Sequence, residues 1–336
     1  MEALQQFGVF TAQTLVIVLA ISAVLILIAV LAAKAQDKPE LEIELLHKKY
    51  KHFAKLLKAA TLNKDEQKLA KKKDKKEEKI KKHEHQRKIF VVDFDGDIKA
   101  SATEHLRQEI TAILEVATPS DEVVIRLESP GGVVHGYGLA ASQLMRVREK
   151  NIPLIICVDK VAASGGYMMS CVGTKILSAP FAIIGSIGVV AQVPNFHDVL
   201  KKHNVEYKEY TAGEYKRTVS IFGEITPKGE EKFREQLEAT HQLFKGWVHA
   251  NRPIVDIDRV ATGEYWYGQQ ALGLKLVDEI RTSDDYLMSQ ADTNQIIRVS
   301  FEKKQKLSEK LSGIVGKAAE SSFLKIYENL ERRKFL

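Results

Sequence analysis

The 336-residue sequence predicts an α/β fold: a mainly parallel sheet with surrounding helices, preceded by a transmembrane helix. Three observations carry this. Residues 15–33, LVIVLAISAVLILIAVLAA, contain no charge. From residue 89 to about 280, short runs rich in Val, Ile, Leu and Phe alternate with stretches of helical spacing. That order is the mark of βαβ units and of a sheet wrapped on its faces. Within the intervening residues 35–88, the lysine-rich stretch, residues 64–88, carries no apolar pattern able to bury a core and reads as a solvated helix or flexible spacer.

Each element follows from its residues. The apolar run is about the length that crosses ~30 Å of hydrocarbon. No Lys or Arg precedes it, it exceeds the ~7–15 apolar residues of a signal peptide, and Lys34 and Lys38 follow it. A retained anchor over residues 1–34 is therefore expected. The spacer spans residues 35–88. In it, residues 41–60 (LEIELLHKKYKHFAKLLKAA) have the spacing of a short amphipathic helix. Residues 64–88 mix lysines with acids. Interleaved acids and the lack of aromatic rings argue against nucleic acid as a partner, whereas lysines beside an anchor suit anionic lipid headgroups.

The third zone, residues 89–290, opens with KIFVVDF as a strand. TEHLRQEITAILEVA is a helix with Leu106, Ile110, Ile113 and Leu114 on one face, and EVVIRLES is a strand that ends in a turn at Pro130-Gly131-Gly132. GLAASQLMRVREK is a helix and PLIICVD a buried strand. A helix over 167–172, strands at 175–178 and 187–191, and a long amphipathic helix over 228–250 complete the pattern. The tail, residues 291–336, has Leu307, Leu311, Ile314, Phe323, Ile326 and Leu330 at helical spacing. The net charge is +6, but much of the excess lies between Lys64 and Lys88. The two cysteines, Cys157 and Cys171, sit in apolar surroundings and read as free core thiols.

Chemistry concentrates in two glycine-rich places. SPGG, residues 129–132, directly follows a strand, and its bare N–H groups can bind a developing oxyanion. Ser164, in VAASGGYMMS, is flanked by small residues at a helix start, where N–H groups point outward. An N-cap serine is the commoner use of such a position, but Gly165 and Gly166 are poor helix formers and leave room for a substrate backbone. A nucleophilic serine needs a base. His135, His197 and His203 show no recognisable triad spacing, and Lys216, in GEYKRT, is the other candidate. A lysine serves only if desolvation or a neighbouring cation lowers its pKa. Tyr210, Tyr215, Val219, Ile221 and Phe222 could supply an apolar lid.

Five motifs in this order, SPGG, VAASGGYMMS, IIGSIGVVAQVPNF, GEYKRTVSIFGEITPKG and GEYWYGQQALGLKLVDEI, resemble the SohB and signal peptide peptidase A family of bacterial membrane-bound serine peptidases. With the anchor and the lysine-rich spacer, the resemblance is nearest to the SohB branch. It implies a Clp protease/crotonase-like fold and a Ser-Lys dyad in place of a triad. Carried over by position, Ser164 is the nucleophile and Lys216 the general base. Gly132, with Gly131, offers oxyanion N–H groups, and Gly165 a further one. Ser186, in GSIGV, resembles a second serine that orients the lysine, or is simply a turn residue. The resemblance implies hydrolysis of peptide bonds with no metal or organic cofactor. Its substrates would be remnant signal peptides or misfolded membrane and exported proteins. It also implies a homo-oligomer whose active site can be shared between subunits, in a bacterial inner membrane. Flanking charges point to a cytoplasmic catalytic domain and the resemblance to a periplasmic one; the expectation leans periplasmic. Two other classes compete: a crotonase-type acyl-CoA enzyme using the same glycines, and a non-catalytic membrane scaffold of the same fold.

Overall fold

A computed structural model of the protein describes residues 15–16, 18–22, 24, 40–63, 65–69, 72 and 87–302. The residues of the expected anchor that are described are helical, and the rest of it lies outside the described residues. Among the described residues, no helix is long and apolar enough to cross a membrane. The helical tail expected beyond residue 302 also lies outside them. Residues 42–300 form one compact unit.

The compact unit is built on a seven-stranded sheet. Its strands are β1 (Glu40–Leu45), β2 (Lys88–Asp95), β3 (Glu122–Glu128), β4 (Leu154–Val158), β6 (Lys175–Ser178), β9 (Glu279–Ile280) and β10 (Gln295–Glu302). The order across the sheet is β1-β10-β2-β3-β4-β6-β9. From β10 to β9 every pairing is parallel. A second, three-stranded sheet holds β5 (Val161–Ala163), β7 (Ile183–Gly185) and β8 (Tyr265–Tyr267) in the order β5-β7-β8.

The apolar runs become central strands because both faces are covered. Alternate side chains serve two cores. Phe90, Val92, Phe94, Val123, Ile125 and Leu127 face one, under α2 (Thr103–Leu114) and α3 (Val134–Glu149). Ile89, Val91, Val124, Ile155 and Cys157 face the other, under Leu46 of α1 (Leu46–Thr61) and Leu287 of α9 (Ser283–Gln290). The face expected for α2 is the buried one, with Leu106, Ile110 and Ile113 inside and Leu114 partly so. Both cysteines are free and buried. Burial pushes the Cys171 thiol up to about 12, so it holds no thiolate at neutral pH.

Two expectations are corrected. Residues 40–45 are a strand and the helix starts only at Leu46, because Glu40, Glu42 and Glu44 alternate with Leu41, Ile43 and Leu45 at the period of a strand. Residues 187–191 are irregular, and the strand lies earlier, at β7. Positive φ at Gly185 (101°) and Ser186 (50°) ends the extended backbone there.

Ionic contacts lock the edges. Asp93 on β2 accepts two bonds from Arg126 on β3 and one from Arg298 on β10, and Arg298 also reaches Glu44 on β1. Arg252, almost fully buried after α6 (Pro227–Asn251), donates to both carboxylate oxygens of Asp278 and to the Lys275 carbonyl. Between these last two residues and α6 lie α7 (Ile257–Val260) and α8 (Gly268–Gly273).

Arg252→Ala removes a buried guanidinium and the three bonds by which it ties the end of α6 to Lys275 and Asp278, which should cost about 1–3 kcal/mol and lower the thermal midpoint clearly. Burial raises the Asp93 carboxyl, but Arg126 and Arg298 outweigh it and hold it below the usual range. A depressed folded-state pKa contributes stability above the unfolded value and loses it as pH falls through the folded value. Denaturant midpoints should therefore fall on acidification below about pH 4, with a shallower fall in Arg126→Ala.

Candidate active site

β5 ends at Ala163, and the Ser164 N–H still bonds Gly185 O on β7 at 2.8 Å. There the chain turns abruptly. Ser164 has φ +52° and ψ −115°, and α4 (Gly165–Ser170) begins at the next residue. A side chain in that backbone region costs about 1–3 kcal/mol and persists only where the surroundings enforce it. An ordinary N-cap serine has extended dihedrals and hydrogen-bonds its own helix. Ser164 does neither. Its side chain is half-buried between two buried neighbours, on a strand-to-helix turn of the kind that projects a nucleophile.

The SPGG turn is pressed onto this corner. Ser129 continues β3 by one parallel bridge to Ala162, with Ser129 N–H to Val161 O at 2.8 Å and Ala163 N–H to Ser129 O at 3.0 Å. Gly131 follows at φ +92°. A Cβ on it would stand 2.7 Å from the Ser164 Cβ and 3.0 Å from the Gly165 nitrogen, so only glycine fits. Two segments 33 positions apart in sequence thus meet at the serine.

The expected oxyanion donors separate. The Gly131 N–H turns inward to Ser129 Oγ at 3.1 Å and is spent there, which corrects its expected role. Gly132 is exposed, and no such bond holds its N–H among the described residues. Gly165 is the first residue of α4, and its N–H has no intrahelical acceptor. At this corner the Gly132 and Gly165 N–H groups have no acceptor among the described residues.

Ser186 directly follows Gly185, whose carbonyl holds the Ser164 N–H. Its own hydroxyl donates to Gly263 O at 3.4 Å, not to a lysine.

Lys216 is exposed in an irregular segment whose N–H bonds Gly213 O at 3.1 Å. Among the described residues, no bond joins it to Ser164. The apolar lid expected over it is otherwise engaged. The Tyr215 ring lies beneath Lys228 and Lys232 of α6 at 5.9 and 5.3 Å, Phe222 packs on Phe196 and Tyr207, and Tyr210 is 89% exposed. Between β7 and α6 the chain also carries α5 (His197–Lys202) and a series of exposed apolar side chains, Val190, Val199, Val205 and Ile221 among them.

Two residues with no predicted role stand behind the turn. Ser129 Oγ lies 2.6 Å from Tyr137 Oη, and both side chains are fully buried. The serine was visible in SPGG; the tyrosine sits between two glycines on α3, a pattern without a chemical signature.

The N-terminal model of peptidase family S49 matches residues 2–144, and the peptidase family S49 model matches residues 146–296. The chain belongs to peptidase family S49. The probable protease SohB of Haemophilus influenzae is 49% identical over 353 aligned residues, which cover 100% of this chain and 99% of that protein. The probable protease SohB of Buchnera aphidicola subsp. Schlechtendalia chinensis is 46% identical, over 85% of this chain and 97% of its own. The resemblance carried by the five motifs is therefore real along the whole S49 chain. A solved structure, the 1510-N membrane-bound stomatin-specific protease with a substrate peptide, overlaps 61% of this chain and 80% of its own at 15% identity and TM-score 0.39, too loosely to bear on the site.

Gly131→Ala should lower stability by about 1–3 kcal/mol, from positive φ and the clash with Ser164. Gly138→Ala, in α3 with nothing within 4 Å of its Cβ, is the control and should be neutral or stabilising. Equal thermal midpoints for the two variants would contradict the contact at the serine.

Proposed function

We propose that the protein is a membrane-anchored serine endopeptidase with Ser164 as nucleophile and Lys216 as general base. The observation that carries this is the strained Ser164 turn, its hydroxyl unused by the fold and Gly131 pressed against it. Neutral Lys216 takes the Ser164 proton as Oγ attacks a peptide carbonyl. The oxyanion is bound by the Gly132 and Gly165 N–H groups. Collapse expels the amine, which takes the proton from Lys216, and leaves an acyl-enzyme. Lys216 then draws a proton from water, which attacks the ester; collapse breaks the ester bond, Lys216 returns the proton to Ser164 Oγ, and the carboxylic acid product leaves. The segment after Gly185, exposed at Val190, can pair with an extended substrate as an added strand.

Lys216 reaches Ser164 from a neighbouring subunit of a homo-oligomer. Its exposure in one chain and the apolar side chains of the same segment support this, since association would bury the lysine and lower its pKa. Ser186 orients the lysine once it arrives. Residues 15–33 anchor the chain in the inner membrane, with the catalytic unit on the periplasmic face and the lysine-rich spacer near anionic lipid. Substrates are remnant signal peptides or misfolded membrane and exported proteins. The chemistry uses no metal or organic cofactor.

Ser164→Ala and Lys216→Ala should each drop hydrolysis of fluorogenic peptides by at least about 10³-fold, and a fluorophosphonate should label wild type but not Ser164→Ala. Co-assembled Ser164→Ala and Lys216→Ala subunits should regain part of the activity. No recovery would place both residues in one chain, and full activity of Lys216→Ala would remove it as the base.

A further inference from the structure

We propose that Tyr137 is a positioning residue of this active site, one that holds the oxyanion turn and the start of α4 in register. The inference rests on the reading of Ser164 and the SPGG turn given above. It comes from a directional chain of hydrogen bonds. Gly131 N–H donates to Ser129 Oγ (3.1 Å), Ser129 O–H donates to Tyr137 Oη (2.6 Å), and Tyr137 O–H donates to Asp97 O (2.7 Å). Each hydroxyl accepts one bond and donates one, so the chain has one polarity and no orphan. Burial raises the Tyr137 pKa, with Asp97 and Asp95 adding to it against the Ser129 bond, so the hydroxyl stays protonated and able to donate.

The ring has a second task. A Cβ on Gly165 would stand 2.3 Å from Tyr137 Cγ and 2.6 Å from Cδ2, so the first residue of α4 rests directly on the aromatic face. Phe94 meets the same ring edge-on at 6.4 Å and fixes it from the sheet side. One side chain therefore touches the Gly165 backbone through its ring and governs Gly131 through its hydroxyl. Gly165 carries one of the two N–H groups left to bind the oxyanion, and Gly131 adjoins the other, that of Gly132. Drawing the Gly131 N–H inward also decides which amide of the turn faces the substrate. Tyr137 is fully buried, and its hydroxyl is taken up by Ser129 and Asp97. It acts on the distance between two donors, and misplacement of about 1 Å costs as much as 10²-fold in rate.

The test compares Tyr137→Phe and Ser129→Ala with wild type in the full-length, detergent-solubilised protein. The readouts are kcat and KM on a fluorogenic peptide, with active sites counted by fluorophosphonate titration, and Ki for a peptide aldehyde that forms a tetrahedral adduct. Both variants should lose roughly 10- to 100-fold in kcat per titrated site, with KM within about twofold. Aldehyde affinity should fall by the same factor as kcat/KM, a change that mere loss of folded protein does not produce. The double variant should be no worse than the worse single one, because both act through one chain of bonds. Unchanged kcat per site and unchanged Ki in either folded variant would overturn the proposal. If Tyr137→Phe fails to fold, Ser129→Ala alone decides, since it leaves the ring on Gly165. Failure of the underlying reading looks different: Ser164→Ala would then hydrolyse the peptide at the wild-type rate.

Discussion

Everything at the catalytic end of this molecule depends on one close approach, that of Gly131 to Ser164. No side chain larger than hydrogen fits between them, and the contact needs left-handed backbone on both sides. Strain of this kind survives only where several constraints agree. Here they do. The Ser129–Ala162 bridge sews the end of β3 to β5, Gly185 on β7 pins the serine N–H, and α4 leaves at once behind it. The large sheet supplies one half of the site and the small sheet the other. The parallel arrangement sends both to the same end of the sheet, where open α/β folds keep their ligands.

Lys216 sits under a different regime. Ser164 is set by packing that one chain completes, whereas Lys216 belongs to a solvent-facing segment held mainly by its own local bonds. A lysine in water stays charged, so its usefulness depends on what covers it. The two residues are therefore held in different ways in this S49 peptidase: Ser164 is fixed by packing, and Lys216 lies open to solvent.

How much was legible in the sequence follows from these physics. β2, β3 and β4 announce themselves because strands buried on both faces must be apolar almost throughout, and α2 because its face repeats every turn. Ser164 and SPGG were legible because small residues around a hydroxyl and after a strand are conspicuous. The strand at residues 40–45 was missed because its alternation runs straight into a helical pattern at Leu46. β5, β7 and β8 have three residues each, too few to show a period. Left-handed backbone at Ser186 has no signature in its own residue type. Nor does the hydrogen-bond chain through Ser129 and Tyr137, since it joins two turns and a helix whose meeting is decided by the tertiary fold.

The place of β10 in the sheet has a consequence for how the molecule is made. This strand lies between β1 and β2, yet its partner residues in β2 precede it by more than 200 positions. On the ribosome, β2 is completed long before β10 exists. During that interval its outer edge presents unpaired amide and carbonyl groups, flanked by side chains as apolar as Ile89 and Val91. Such an edge invites pairing with other nascent chains. The compact unit therefore closes only after its last strand slides between two of its earliest, a slow, late step typical of non-local parallel pairing.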